Sequence, residues 1–441
     1  MERVDAVVIG GGILGCALAR NLRRWEISTL LVEKENDVCT GITRANSAIV
    51  YAGYDNKPGT RKAELTVRGN ARMEQLCRQL EVPFSRCGSL LVTYEASAVE
   101  RLRKKLEQGI QNGVPGLRLL SGEEAQTMEP MLRPGVAGAL YAPSTGTVNP
   151  WQLGIAAYEN ALQNGARALL QTRVQSIRQE DGGYVVQTTA GEIWSRMVFN
   201  CAGLTADEMQ EMVFAPSVRL ELDSAEYLVM DPQAAQPQRV IFLQSQRCGK
   251  GITAIPCVEG NLLISGVRKP LGTPFATTAE GLLALQQDAV ELLPALEPGQ
   301  VIRSFGAVRP NPYKENGESI HDFSVEHPAP GFYSLIGIKT PGLTCANELG
   351  MELAQQAAAY LGAPENSRFD PVRRGITARD DEIICQCGGI SRGEILEAIA
   401  RGATTVDGVK RRVGSGMGRC QGSRCSRKIE QLLEKANRGT M

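Results

Sequence analysis

The sequence predicts an α/β protein with a second, antiparallel-sheet domain inserted into the first and a small helical domain at its end. Three observations predict it. A strand-like run near the start turns through glycines into a helix. A middle region stops alternating strands with helices. Four cysteines crowd the C-terminal tail.

The first element is the apolar run 6–9, which meets Gly10-Gly11-Gly12-Ile13-Leu14-Gly15 and continues into a helix-like segment 16–24. Gly10, Gly12 and Gly15 satisfy G-x-G-x-x-G, a pattern that turns tightly, brings backbone N–H groups to a pyrophosphate and packs helix against strand. The helix N-terminus then faces the phosphates. A second strand at 29–32 ends at Glu33. There, roughly 20 residues past the glycines, a carboxylate accepts hydrogen bonds from an adenosine ribose and disfavours a 2′-phosphate. The unit is a Rossmann-like site for an ADP-containing cofactor, FAD or NAD.

A chain of 441 residues exceeds one ordinary core, so two or three domains are expected. Lys+Arg and Asp+Glu both number 48, so no net field recruits nucleic acid or a membrane. No apolar run reaches transmembrane length, and the first residues lead straight into a strand without signal-peptide architecture. The expectation is a soluble, cytoplasmic protein. Its twelve cysteines are then thiols or metal ligands rather than disulfides. Cys16, Cys39, Cys77, Cys87, Cys201, Cys248, Cys257 and Cys345 are scattered and read as small buried residues.

A polar loop over 40–48 follows Glu33, then helical spacing over 64–80 and a strand at 89–93 that opens the non-alternating region, assigned to substrate binding. A loop at 143–150, a helix at 151–165 and a strand at 168–176 return the chain to the first domain. A buried strand then ends at Cys201-Ala202-Gly203-Leu204. Strands at 226–230, 240–243 and 262–265 and a helix at 280–293 extend the substrate domain. A strand at 333–336, a loop and a helix close the first domain, and a polar, proline-containing linker over 364–379 marks a boundary. The expected division is 1–75, 145–215 and 326–370 for the cofactor domain, 76–144 and 216–325 for the substrate domain, and 380–441 for the C-terminal domain.

The run Ala45-Asn46-Ser47-Ala48-Ile49-Val50-Tyr51-Ala52-Gly53-Tyr54-Asp55, with Lys57 to Ala63, resembles the flavin-flanking segment of FAD-dependent glycerol-3-phosphate dehydrogenases. Related L-2-hydroxyglutarate oxidoreductases carry a similar segment. The stretch from Met197 to Leu204 resembles the second FAD-contacting motif of the D-amino-acid-oxidase-like superfamily. The resemblance implies FAD, with Asn46, Ser47, Ala202 and Gly203 against it. It places Gly337, Lys339, Gly342, Leu343 and Thr344 at the flavin's pyrimidine side, where a helix N-terminus and a lysine favour an anionic reduced ring. Residues 302–310 are similar to the family as well, which makes Arg309 the anchor for an anionic group. The family pattern usually has a histidine where this chain has Tyr51, and tyrosine, with a pKa of about 10, is no substitute base. Of the two histidines, His321 and His327, His321 is the candidate replacement.

Cys385-Gln386-Cys387 and Cys420 to Cys425 form C-x-C and C-x4-C. Four thiolates suit zinc or an iron–sulfur cluster, although C-x-C fits structural zinc poorly. The whole tail resembles the [2Fe-2S] domain of bacterioferritin-associated ferredoxin, of the kind that ends many anaerobic glycerol-3-phosphate dehydrogenase large subunits. That implies one cluster on Cys385, Cys387, Cys420 and Cys425. Lys410, Arg411, Arg412, Arg419 and Arg424 either offset its charge or form a solvated basic face. The expected function is oxidation of a small anionic substrate, glycerol 3-phosphate or a 2-hydroxy acid, by hydride transfer to FAD. Electrons then leave through the cluster to a partner oxidoreductase subunit or electron carrier. A D-amino or imino acid dehydrogenase, and a non-catalytic electron-transfer subunit, are the alternatives.

Overall fold

The computed structural model describes residues 2–215, 217–245, 249–266 and 268–438; Cys248 lies outside them. Among these residues the first sheet has eight strands. At its centre Glu2–Ile9 lies parallel to Thr29–Val32 on one side and to Gly191–Asn200 on the other. Arg167–Leu169 adds to Thr29–Val32, and Phe332–Ile336 to Gly191–Asn200, also in parallel. Residues Ala6 to Ile9 are buried without alternation, as parallel strands covered on both faces must be. The helix Ile13–Leu22 packs against this sheet between the helices Pro150–Gln163 and Gly342–Leu361.

The strand expected over 168–176 is two strands on different parts of the sheet. Arg167–Leu169 pairs with Thr29–Val32, whereas Val174–Glu180 forms an antiparallel hairpin with Gly183–Thr188. Between them Gln171 adopts φ +52° and its N–H bonds the carbonyl of Glu35, while the N–H of Thr172 bonds that of Glu33. These two bonds turn the chain around the end of the nucleotide strand. The loop expected at 143–150 likewise contains a short strand, Gly146–Val148, paired with both Ile49–Val50 and Phe84–Ser85.

Among the described residues the second sheet has nine strands. Its longest pairing is antiparallel, Val218–Met230 against Val301–Lys314. One pairing, Ser89–Thr93 with Val240–Ser245, is parallel and joins the two sequence segments that build the sheet. Its core centres on Leu90, Ile241, Ala254, Leu262 and Ile264.

Residues 364–379 contain no helix or strand but are fastened to the Ile13–Leu22 and Pro150–Gln163 helices. Arg20 donates to the carbonyl of Pro371, and Arg373 pairs with Glu159 at 2.6 Å. Beyond them the helices Arg392–Ala400, Val406–Val413 and Ser426–Asn437 enclose a small core of Ile384, Ile395, Val409 and Ile429. Ser391 and Glu394 form a capping box on the first of these helices, each satisfying an otherwise orphaned N–H. Among the described residues no helix is long and apolar enough to cross a membrane.

Candidate active site and cluster site

The glycine turn needs its glycines. Gly10 has φ +104°, and a Cβ there would stand 2.5 Å from the carbonyl oxygen of Cys201; a Cβ on Gly15 would stand 1.9 Å from that of Gly10. Helix and strand therefore approach as a dinucleotide site requires. Glu33 accepts the N–H of Gly11 at 2.6 Å through Oε2 and that of Glu35 at 2.9 Å through Oε1. A carboxylate offers about four acceptor positions, so two remain for a ligand hydroxyl.

From Glu33, Lys34, Glu35 and Asn36 a single cavity of about 960 Å³ runs past Gly10, Gly12, Ala202 and Gly203 to Tyr51, Arg309 and Lys339. That lies near the upper end, about 1,000 Å³, for small-molecule sites, and it suits an elongated dinucleotide with room for a substrate. Asn46, Ser47, Gly342 and Leu343 also line it. Gly15, Gly337 and Thr344 stand behind the wall: Gly337, at φ +69°, packs on Pro312, and Thr344 Oγ1 accepts the N–H of Tyr51 at 3.0 Å.

At the far end the cavity is cationic. Arg309, half-buried, faces Asp223 across the strand pair, and its buried Nε has no hydrogen-bond partner. Burial and the neighbouring Arg268 lower its pKa to about 10. Burial, then Arg309, lowers Lys339 to about 8. Lys339 donates to Asn311 Oδ1 at 3.2 Å, and Asn311 in turn donates to Asp223 at 2.8 Å. Charges that repel one another, with a buried donor left open, favour a bound anion. The Tyr51 hydroxyl lies 3.4 Å from that of Ser47, and its ring stacks on Phe242.

The structure does not bring His321 here. Asp322 accepts the N–H groups of Arg61 and Lys62 at 2.9 and 2.8 Å, capping the Arg61–Leu80 helix. His321 is left exposed, and no histidine is among the described residues lining the cavity. Arg268, Tyr227 and Phe242, by contrast, line the cavity without having been singled out from sequence. Only the sheet pairing gathers them: Tyr227 faces Ser265, three residues before Arg268.

The four C-terminal cysteines form two pairs. Cys387 Sγ lies 3.5 Å from Cys420 Sγ, and the Cys425 thiol contacts that of Cys385, which also accepts the N–H of Gly416 at 3.5 Å. Among the described residues no three His, Cys, Asp or Glu side chains gather for one metal ion. Paired thiols fit a two-iron cluster, where each iron takes two protein ligands. A Cβ on Gly418 would stand 2.4 Å from Cys387 Cβ, so the loop closes over the pair only with glycine there. The basic residues divide: Arg411 and Arg412 are buried against Asp37, whereas Arg419, which pairs with Asp231 at 3.0 Å, and Arg424 are exposed.

Comparison with known proteins agrees with this geometry. Residues 5–356 match the family FAD dependent oxidoreductase, and residues 383–435 match the BFD-like [2Fe-2S] binding domain. The chain is 38% identical to a glycerol 3-phosphate dehydrogenase of Caloramator mitchellensis, over 98% of this chain and 94% of that one. It is 34% identical to the mitochondrial L-2-hydroxyglutarate dehydrogenase of Homo sapiens over 52% of each. The fold is that of an L-alpha-glycerophosphate oxidase from Mycoplasma pneumoniae with FAD bound, at a TM-score of 0.78 and 23% identity over 85% of this chain and 99% of that one. A strand–glycine–helix unit, an inserted sheet and paired C-terminal thiols thus coincide with the matched segments, and the chain belongs to the FAD dependent oxidoreductase family, with a C-terminal [2Fe-2S]-binding domain.

Proposed function

We propose that this enzyme is a dehydrogenase of a small anionic alcohol, glycerol 3-phosphate first and a 2-hydroxy acid such as 2-hydroxyglutarate second. The observation that carries the reading is the buried, unpartnered Nε of Arg309 beside Arg268 and Lys339 at the end of the cavity. The guanidinium fork takes two oxygens of the anion and so orients the substrate. Lys339, fixed by Asn311, adds positive charge at the same end. Tyr51 stands where the family pattern has a histidine, and Ser47 places a second hydroxyl 3.4 Å from that of Tyr51. Asn46, Ala202, Gly203, Gly342 and Leu343 hold the cofactor from the wall, with Gly15, Gly337 and Thr344 supporting that wall from behind. FAD, when bound, supplies the hydride acceptor, and the cluster supplies a one-electron exit.

The cysteines Cys385, Cys387, Cys420 and Cys425 ligate that cluster in this reading. Exposure of Cys387 supports a separate electron carrier or partner subunit as acceptor. The unpaired state of the other described cysteines supports a reducing, cytoplasmic setting. A D-amino or imino acid substrate is the second reading. It is favoured by the lack of any histidine among the described lining residues, because a neutral amine needs no strong base. The test is an anaerobic screen of flavin bleaching with glycerol 3-phosphate, 2-hydroxyglutarate and D-amino acids. Bleaching by the phosphate or hydroxy acid supports the first reading, and bleaching by amino acids alone replaces it with the second. A flavin that only a partner protein reduces would make the chain an electron relay.

A further inference from the structure

We propose that the C-terminal [2Fe-2S]-binding domain completes the FAD site, forming part of the wall around the cofactor's adenosine half, so that FAD binding and docking of that domain stabilise each other. The cavity that passes the glycine turn is lined at its nucleotide end by Glu33, Lys34, Glu35 and Asn36, and also by Thr405, Val406, Asp407 and Arg411 of the C-terminal domain. One cavity is thus walled by two domains that are remote in sequence.

The contact is built rather than incidental. Asp37, the residue after the lining loop, is 1% exposed and takes Arg412 in two places, at 2.9 Å on Oδ1 and 2.8 Å on Oδ2, with Arg411 Nη2 also on Oδ2 at 2.8 Å. Arg412 is anchored within its own helix by a bond to the carbonyl of Gly408 at 3.0 Å. A Cβ on Gly408 would stand 3.3 Å from Asp37 Oδ2, a tight contact, so glycine there eases the close approach of helix and loop. Glu159 extends the network, accepting Arg373 at 2.6 Å and Arg401 at 3.2 Å. The Val406–Val413 helix is therefore locked to the loop that carries Glu33.

The chemistry of the added wall suits a nucleoside. Arg411 is 7% exposed, and its Nε is buried without a hydrogen-bond partner, although Nη2 is occupied by Asp37. A guanidinium in that state has a donor and a planar face to offer a purine. Asp407 contributes an acceptor for an amino group or a ribose hydroxyl, and its charge disfavours a phosphate. Thr405 caps the helix through the N–H of Gly408 at 3.0 Å. Together with Glu33 this points to the adenosine rather than the pyrophosphate as the group shared between the domains. A ligand bound to a composite wall stabilises the docked arrangement, and docking strengthens the ligand by the same factor.

The test uses full-length protein with its cluster and without FAD. Arg411→Ala should weaken FAD at least tenfold in a titration of flavin fluorescence, weaken ADP by the same factor, and leave iron content unchanged. In the wild-type chain, ADP alone should slow amide exchange in the 406–413 helix. FAD and ADP affinities within twofold of wild type at full iron content would overturn the proposal. Should the variant lose iron or fail to fold, the wild-type exchange measurement decides: amides of that helix indifferent to ADP reject the shared site.

Discussion

In the proposed function Arg309 anchors the substrate's anionic group, and its value there lies in geometry more than in charge. Removing a fork that makes two charge-assisted bonds costs about 3 kcal/mol, on the order of a hundredfold in affinity. Arg309→Ala should raise the substrate concentration needed for flavin reduction by that order, while Arg309→Lys, which keeps the charge but not the fork, recovers only part. Wild-type substrate dependence in both variants would remove the anchor. Lys339 makes a pH prediction. Burial and Arg309 lower its pKa to about 8 in the empty site, and a bound anion raises it again. Anion binding is therefore full below about 8 and weakens as pH rises through the raised value. Lys339→Arg, charged throughout, should flatten that fall in a titration of glycerol 3-phosphate binding. That Arg309 lines the cavity was legible in sequence because a family-like run carries it. Arg268 was not, since nothing local distinguishes it and only strand pairing brings it across. The expectation for His321 failed because its neighbour Asp322 is the inward residue, capping a helix.

At the scale of elements, the loop after Glu33 and the Val406–Val413 helix behave as one unit. Burial alone would raise the Asp37 carboxyl, but hydrogen bonds and charge from Arg412 and Arg411 outweigh it and hold the pKa below the usual value. A depressed carboxylate contributes stability that is present above its unfolded pKa, about 3.9, and is lost as pH falls through the folded value. The docking should accordingly be insensitive to pH near neutrality and loosen only in acid. Asp37→Asn leaves two buried guanidinium groups short of a counter-ion, a change that costs about 3 to 5 kcal/mol. Urea unfolding should show a lower midpoint and earlier proteolysis within residues 364–379; an unchanged midpoint would contradict the clamp. None of this was legible in the chain, because Arg411 and Arg412 read equally well as a solvated face until Asp37 is seen beside them. The strand expected over 168–176 failed for a similar reason: hydrogen bonds to Glu33 and Glu35, far away in sequence, break it. Thr29–Val32, Ser89–Thr93 and Leu262–Ser265 were legible because each is a short, uninterrupted run of apolar and β-branched or small residues, the last bounded by glycines.

For the whole molecule, the architecture sets a cationic substrate end, a nucleotide end and a thiol site in one continuous body. The C-terminal domain touches the substrate sheet through Arg419 on Asp231 and Arg303 on Gln421, and the nucleotide loop through Asp37. The three-part layout was legible because each part has its own local signature, a glycine turn, a loss of alternation and clustered thiols. How the parts share walls was not. The most direct test is anaerobic mixing of the FAD- and cluster-loaded protein with glycerol 3-phosphate, followed at the flavin absorbance band and by low-temperature paramagnetic resonance. The prediction is bleaching of the flavin together with a reduced [2Fe-2S] signal, both suppressed in Arg309→Ala at the same substrate concentration. Flavin and cluster that dithionite reduces, but that neither glycerol 3-phosphate nor 2-hydroxyglutarate touches, would contradict it.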